Sequence, residues 1–382
     1  MIYIYLHTDS IKTIFNLIVG TCVEYINFLR FIMKKFSFFI LLCFVVAALV
    51  IITVKFVLPK PSVDTKTDQY NNVRIGFALG DLREERWQKD RDLFVEAAKK
   101  LGAYVQVVSA NSDAELQNTQ VENLISQGVN IIVIAPYDSE KIASVVALAH
   151  KSNIKVIAYD RLIKNSDVDF YVSFDNVKVG KMEAQGVVEV KKSGNFAYIG
   201  GAPTDNNASL LKQGSMEVLS PFIKSGSIKL VVDKFTTDWK PEVAYNTIKQ
   251  YLASGGKLDA VVAANDGTAF GAIRALKEYN LDGKIPVSGQ DAELSACQRV
   301  VEGTQTLTVY KPIPALAAKA VEIAVAMTKG EEPVSNAVTN NGKIDVKSYY
   351  LDPIMVTKGN MDETVVKDGF HSKIQIYQSK TK

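Results

Sequence analysis

The chain has 382 residues, of which 47% are hydrophobic and 22% are charged, a composition that suits one large or two ordinary globular domains. Its 44 basic and 41 acidic residues give a net charge of +3 without a long basic tract, so charge does not indicate a nucleic-acid partner. Of the three cysteines, only Cys297 lies beyond the N-terminal region, which excludes an internal disulfide in the rest of the chain.

An uncharged apolar stretch, FSFFILLCFVVAALVIITV, runs from Phe36 to Val54 near the N-terminus. Its length is about that of a helix that crosses a bilayer, and the two lysines before it favour a cytoplasmic N-terminal end. We therefore expect a single-pass membrane anchor over 36–58, with the soluble region extracytoplasmic. A secretory signal peptide is the alternative, although the apolar run continues past its candidate cleavage site, Val46-Ala47-Ala48.

The segments beside this stretch have simpler compositions. Residues 1–35 would form a short cytoplasmic segment, and Met33, which two lysines follow, is a candidate translation start within it. Residues 59–72 are polar and contain two prolines, which is typical of a linker.

From Val73 onward, short apolar runs alternate with helical patterns. VRIGFAL is followed by a helix that has Phe94, Ala98 and Leu101 on one face and ends at Gly102. The next strands are AYVQVVS, NIIVIAP and IKVIAYD, with helices predicted near 113–127 and 141–150. Because these strands are apolar on both faces and rich in β-branched residues, they indicate a parallel sheet with helices on both sides.

The same order then repeats in the second half. NFAYIGG, IKLVVDKF, LDAVVAAND, IPVSGQD and TQTLTVYK are predicted strands, Pro241 suits a helix start, and Pro312–Thr328 is a predicted helix. The repeat predicts an α/β fold of two Rossmann-like lobes with a cleft between them. In such sheets, ligands bind beyond the carboxyl ends of the strands.

The residues at these strand ends are mostly polar, and they include both tryptophans of the chain. Carboxylates accept hydrogen bonds from sugar hydroxyls, arginine donates in a planar fork and asparagine does both, while the C–H faces of a pyranose ring pack on flat aromatic rings. The set therefore indicates a polyol site. Its members are Arg86, Trp87, Asp160, Arg161, Asp205, Asn206, Asn207, Trp239, Asn265, Asp266, Gln290, Asp291 and Lys311.

Each of these residues also has an ordinary structural alternative. Asp160 and Arg161 could form a loop ion pair, and asparagine or aspartate after a strand is common in turns and helix N-caps. Trp87 lies seven residues before Phe94 on the same helical face, so it could belong to the core. The shared position of the whole set at strand ends favours the binding site.

With these residues in place, the chain resembles the D-xylose-binding members of the sugar-binding branch of the type I periplasmic binding proteins, from about Val73 to about Phe370. The resemblance rests on the strings DLREERWQKDRD, IKVIAYDRLI, DFYVSFDN, DNNA, DAVVAAND, SGQDAEL, GTQTLTVYKP and VVKDGFH. It implies three hinge crossings, near Phe174–Asn176, near Thr308–Lys311 and between about Asn341 and Tyr349. Lobe 1 would then comprise 73–174 and 312–342, and lobe 2 would comprise 175–311 and 343–382.

The resemblance also implies a monosaccharide site between the lobes, without a cofactor or a metal. Aromatic contacts with the sugar would come from Trp87 and Trp239. Hydrogen bonds to it would come from Arg86, Asp160, Arg161, Asp205, Asn207, Asn265, Asp291 and Lys311.

An enzyme and a repressor are the alternatives from other functional classes. The chain has no HExxH, G-x-S-x-G or GxxxxGK[ST] motif, and a glycosidase pair formed by Asp160 and Asp291 would have basic neighbours, which lower rather than raise a carboxyl pKa. A repressor would need a helix-turn-helix where the apolar stretch lies. We therefore expect a binding protein and not an enzyme.

Two binding roles follow from the resemblance. The predicted anchor leaves at most about 35 residues in the cytoplasm, so a signalling role requires a partner such as a sensor histidine kinase. We favour this membrane-anchored D-xylose sensor subunit. The alternative is the substrate-binding component of an ABC transporter, which would contact a permease.

Overall fold

The structure is a computed structural model that describes residues 73–378. Its strands are β1 Arg74–Leu79, β2 Tyr104–Ser109, β3 Ile131–Ala135, β4 Lys155–Tyr159, β5 Phe170–Phe174, β6 Gly194–Gly200, β7 Ile228–Phe235, β8 Ala260–Ala263, β9 Thr308–Tyr310, β10 Ala337–Asn340, β11 Asp345–Leu351 and β12 Ile354–Val356. Its α-helices are α1 Glu85–Lys100, α2 Ala114–Ser126, α3 Ala143–Lys151, α4 Asn176–Val190, α5 Asn206–Lys224, α6 Pro241–Ala253, α7 Asp266–Glu278, α8 Leu294–Glu302, α9 Ile313–Thr328 and α10 Lys373–Tyr377.

The first lobe is built on a seven-stranded sheet of order β10-β11-β5-β4-β3-β1-β2. Its strands are parallel except β10, which pairs antiparallel with β11 at one edge. Helices α1 and α9 cover one face, where Phe77 stacks on Phe94 with ring centroids 4.2 Å apart. Helices α2 and α3 cover the other face through Leu124 and Val145. Burial on both faces explains why β3 is apolar throughout.

The second lobe is built on the parallel strands β7-β6-β8. Isolated bridges from Val287 to Val261 and from Gln290 to Val309 continue this sheet, so the predicted strand IPVSGQD pairs at single points only. Helices α4 and α5 cover one face, and α6 and α7 cover the other. The backbones of α4 and α5 approach closely because Gly180 carries no Cβ, which would lie 2.0 Å from the carbonyl oxygen of Leu211.

The chain passes between the lobes three times, after β5, after β9 and after β11. The third crossing differs from the prediction, which placed it between about Asn341 and Tyr349 and assigned 343–382 to lobe 2. Strand β11 pairs in parallel with β5, with Ser348 opposite Tyr171 and Leu351 opposite Phe174, so it belongs to the first lobe and the crossing follows Leu351. Packing explains this position of β11, because its Val346 is buried in the first-lobe core that also contains Leu124 and Val145.

The N-terminal transmembrane helix predicted from the sequence is not supported. Within residues 73–378, no helix is both long and apolar enough to span a bilayer. The predicted anchor over 36–58 lies outside the described residues, as do the predicted segments 1–35 and 59–72. We therefore correct the fold class to the two-lobe α/β fold, which is the part of the prediction that the described residues support.

Candidate ligand-binding site

A single cavity between the lobes is lined by all ten residues predicted to contact a ligand, namely Arg86, Trp87, Asp160, Arg161, Asp205, Asn207, Trp239, Asn265, Asp291 and Lys311. The space left between these side chains is about 10 Å³, roughly that of one water molecule. Glu84 and Gln290 also line it; Gln290 belonged to the strand-end set but not to the ten predicted ligand contacts, and Glu84 belonged to neither. Gln290 precedes Asp291 at a strand end, which was the signal for it, whereas Glu84 lies in the loop before α1.

Arg86 is fixed at the start of α1 by buried carboxylates. Its guanidinium lies 2.9 Å from Asp160 and 3.1 Å from Asp90, and Asp90 in turn accepts a hydrogen bond from Tyr159 at the end of β4. Burial by itself would raise the pKa of Asp160, but the cations Arg86, Lys311 and Arg161 outweigh it and hold that pKa below its usual range. Asp160 is therefore an ionised acceptor at neutral pH.

Trp87 belongs both to the core and to the cavity. It is buried in the first-lobe core beside Phe94, and its ring is also covered by the guanidinium groups of Arg86 and Arg161, at 4.2 and 4.9 Å from the ring centroid. The two interpretations of its sequence position are thus compatible, because a helix start at a strand end faces the core and the cleft together.

The second lobe presents its polar residues from helix N-termini. Asp205 is the N-cap of α5 and accepts from the backbone of Asn207 at 2.9 Å, while Asn265 is the N-cap of α7 and accepts from the backbone of Thr268 at 2.8 Å. The capping role considered for these residues is present, and the same side chains line the cavity.

Trp239 lies between these two helix ends. Its indole Nε1 donates to Asp205 at 3.2 Å, and its ring packs so closely on Gly201 that a Cβ there would lie 2.0 Å from a ring carbon. Asp238 and Trp239 both have positive φ, 53° and 57°, a conformation that costs non-glycine residues about 1 kcal/mol each. This strained turn directs the indole into the cleft.

Asp291 and Lys311 complete the cavity near the second crossing. Asp291 has a φ of 93°, and its carboxylate lies 2.9 Å from Lys311 Nζ and 3.4 Å from the Arg86 guanidinium of the other lobe. All three side chains are almost completely buried, so each depends on the others for charge compensation.

The lobes are closed around the cavity by direct contacts. Arg161 reaches Asp205 at 2.8 Å, and Asn207 donates to the carboxylate and carbonyl of Asp160 at 3.2 Å. Outside the cavity, the hydroxyl and backbone of Ser139 donate to the Thr204 carbonyl at 2.9 and 3.0 Å. These bonds all join the first lobe to the second.

Three buried polar atoms of the cavity walls have no hydrogen-bond partner among the described residues. They are Trp87 Nε1, Asn207 Oδ1 and Gln290 Oε1. One is a donor and two are acceptors, and they come from both lobes. Buried polar groups in proteins are nearly always bonded, so these atoms call for a ligand that donates and accepts at several points.

Comparison with known proteins agrees with this geometry. A family model described as a periplasmic binding protein domain matches residues 75–332. The chain is 52% identical over 307 residues to a D-xylose-binding periplasmic protein of Haemophilus influenzae, covering 80% of this chain and 92% of the relative. It is 50% identical over 305 residues to a protein of the same name from Escherichia coli, again covering 80% and 92%.

A solved structure shares the arrangement of the lobes. An ABC transporter solute-binding protein from Clostridium phytofermentans, with bound β-D-glucose, matches 79% of this chain and 99% of its own length at 31% identity and a TM-score of 0.74. The prediction of a binding protein rather than an enzyme is confirmed by these relatives. The chain belongs to the type I periplasmic binding protein family and is an extracytoplasmic sugar-binding member of it.

Proposed function

We propose that this chain binds D-xylose between its lobes and delivers it to an ABC permease. The observation that carries the binding role is the set of unpaired cavity atoms, Trp87 Nε1, Asn207 Oδ1 and Gln290 Oε1. Sugar hydroxyls both donate and accept, so one pyranose can satisfy all three.

The charged residues supply the stronger hydrogen bonds. Asp160 and Asp291 accept from hydroxyls, and Arg86, Arg161 and Lys311 donate to them. Bonds to ionised groups are about twice as strong as those between neutral groups. Trp87 and Trp239, which come from opposite lobes, provide flat surfaces for the C–H faces of the ring. Because the ligand contacts both lobes, it stabilises the closed state over the open one.

D-xylose is favoured by the names of the two most similar relatives reported above. A pentopyranose lacks the exocyclic CH₂OH of glucose, so it needs less space beyond C5. Calorimetric titration with D-xylose, D-ribose, L-arabinose and D-glucose tests the assignment, and D-xylose should bind tightest. Xylitol is the matched control, since it offers the hydroxyls without the ring faces. Tighter binding of glucose would overturn the choice of sugar.

Delivery to a permease is supported by the relative whose structure is that of an ABC transporter solute-binding protein. The sensor role predicted from the sequence depended on the N-terminal anchor over 36–58, which lies outside the described residues. Deleting the gene and measuring both D-xylose uptake and xylose-induced transcription separates the two roles. Lost uptake with retained induction supports transport, whereas retained uptake with lost induction contradicts it.

A further inference from the structure

A contact outside the sugar cavity joins the two lobes through Tyr137 and Asp238. Tyr137 follows β3 in the first lobe, and its hydroxyl donates a hydrogen bond to Asp238 Oδ1 of the second lobe. Neither residue lines the sugar cavity. Asp238, however, immediately precedes Trp239, which does.

Tyr137 is held firmly by its own lobe. Its backbone N–H donates to Gln117 Oε1 at 2.9 Å, and Gln117 also donates to the carbonyl of Ala135 at 2.9 Å. Gly80 lies against it so closely that a Cβ at that position would be 2.7 Å from Tyr137 N. Burial and the Asp238 carboxylate raise the pKa of Tyr137 to about 12, so the phenol is a donor at neutral pH.

Asp238 lies in a turn of the second lobe whose backbone conformation is strained. Its φ of 53° and that of Trp239, 57°, are both in the left-handed region, which non-glycine residues adopt only when their surroundings enforce it. Within the second lobe, Lys240 Nζ reaches Asp238 Oδ2 at 2.8 Å. That lysine is exposed, and an exposed ion pair of this kind contributes little. The Tyr137 hydroxyl is the contact that exists only when the lobes meet.

We propose that Tyr137 is a positioning residue that fixes the strained Asp238–Trp239 turn when the lobes close, and so holds the Trp239 indole against the sugar. Through this bond, the first lobe controls the orientation of an aromatic wall that belongs to the second. The inference rests on the proposed function, because it concerns how the same sugar is retained. It predicts that the contact acts on the escape of bound sugar rather than on its entry, since the bond forms after encounter.

Tyr137→Phe removes only the hydroxyl. We expect its D-xylose affinity to fall roughly tenfold, the effect of losing one hydrogen bond to a charged acceptor. In stopped-flow tryptophan fluorescence, the dissociation rate should rise by this factor and the association rate should stay unchanged. Tyr251→Phe is the matched control, because it removes a tyrosine hydroxyl that bonds the Lys257 carbonyl at 3.2 Å within the second lobe. It should leave both rates unchanged.

Two changes at Asp238 separate positioning from a general loss of structure. Asp238→Asn keeps an acceptor and tolerates a positive φ, so it should retain most of the affinity. Asp238→Gly relieves the strain but removes the acceptor, and combining it with Tyr137→Phe should cost no more than the greater single loss. Wild-type dissociation rates in Tyr137→Phe, or fully additive losses in the double variant, would overturn the inference. Failure of the wild-type protein to bind any sugar would instead overturn the proposed function.

Discussion

The guanidinium of Arg161, on the first lobe, lies 2.8 Å from the carboxylate of Asp205, on the second, and both side chains are buried. Asp205 also accepts from the Trp239 indole and caps α5. The Asp205 carboxylate therefore pairs with the other lobe, holds the Trp239 ring and caps α5.

Asp205→Ala should lower D-xylose affinity at least about 100-fold, since loss of one partner from a desolvated charge pair costs on the order of 2–5 kcal/mol. Calorimetry measures the loss, and small-angle scattering should show a more open protein without sugar. Asp233→Ala is the control, because Asp233 pairs with Lys212 on the exposed surface. Equal affinities in the two variants would contradict the role of the Arg161–Asp205 pair.

Gly201→Ala should weaken binding by displacing Trp239, because the added Cβ would lie 2.0 Å from the indole. The ring is part of a buried cluster and cannot shift without losing its bond to Asp205. Gly267→Ala is the matched control, since its Cβ would meet its nearest neighbour at an ordinary 3.5 Å. We expect a loss of more than tenfold in affinity for the first variant and little change for the second. An unaffected Gly201→Ala protein would remove Trp239 from the site.

Asp291→Ala should also abolish tight binding, because Arg86 and Lys311 lose the carboxylate that they share across the cleft. The fold should persist, since both cations can be hydrated in the open state. Titration with D-xylose gives the affinity, and far-ultraviolet circular dichroism checks the fold. Wild-type affinity would exclude Asp291 from ligand contact, while a lost spectrum would show that its role is structural.

Sugar affinity should strengthen as the pH falls from about 9 to 6.5. Glu84 of the first lobe and Glu293 of the second line one groove at the cleft. Burial raises the pKa of Glu84 to about 7, and burial with the charges of Asp266 and Glu84 raises that of Glu293. An acid whose pKa is higher in the closed state takes up a proton on closing, so closure is favoured at the lower pH and loses this contribution as the pH rises.

Glu293→Gln should reduce this dependence in calorimetric titrations across that range, while the contribution of Glu84 remains. Glu278→Gln, at an exposed pair with Lys249, should retain it. Burial and the positive charge of Lys89 lower the pKa of His371, which favours its neutral form over this range. A wild-type affinity that is independent of pH, or that rises with pH, would contradict the prediction.

Glu183→Met should stabilise the protein at pH 8. Glu183 on α4 is fully buried, and neither carboxyl oxygen has a hydrogen-bond partner among the described residues. Burial raises its pKa, so the folded state loses stability relative to the unfolded chain as the pH rises above the unfolded pKa of about 4.3. We expect a gain of about 1–3 kcal/mol in the free energy of unfolding at pH 8 and a smaller gain at pH 5. Urea unfolding at both pH values measures it, and a less stable variant at pH 8 would contradict it.

The strand-end rule selected residues that line one cavity, because the rule is a property of topology. Parallel strands of a doubly wound sheet deliver their carboxyl ends to one edge, so Asp160, Asp205 and Asn265 could be brought together without knowledge of any distance. The rule did not predict Glu84, because this residue lies one position before α1, in a loop whose conformation the sequence does not determine.

Backbone conformation and long-range pairing were harder to predict. Asp238, Trp239 and Asp291 have positive φ without the glycine that usually indicates it, so nothing local marks these turns. The pairing of β11 with β5 joins residues about 175 positions apart, and the alternating pattern of β11 does not say which sheet it joins. The third crossing was therefore placed too early.

The three crossings also determine when each lobe can fold. The core face between α1 and the first-lobe sheet also needs Leu316 and Ala320 of α9, and the sheet needs β11. Residues 73–174 therefore leave the ribosome before this core and sheet can be completed. In the second lobe, Cys297 and its neighbours pack against residues as late as Ile376. Neither lobe can be completed until most of the chain has been translated, which delays folding past the stage at which N-terminal domains usually fold. A chain that remains unfolded for this long is in the form that a secretion channel can thread.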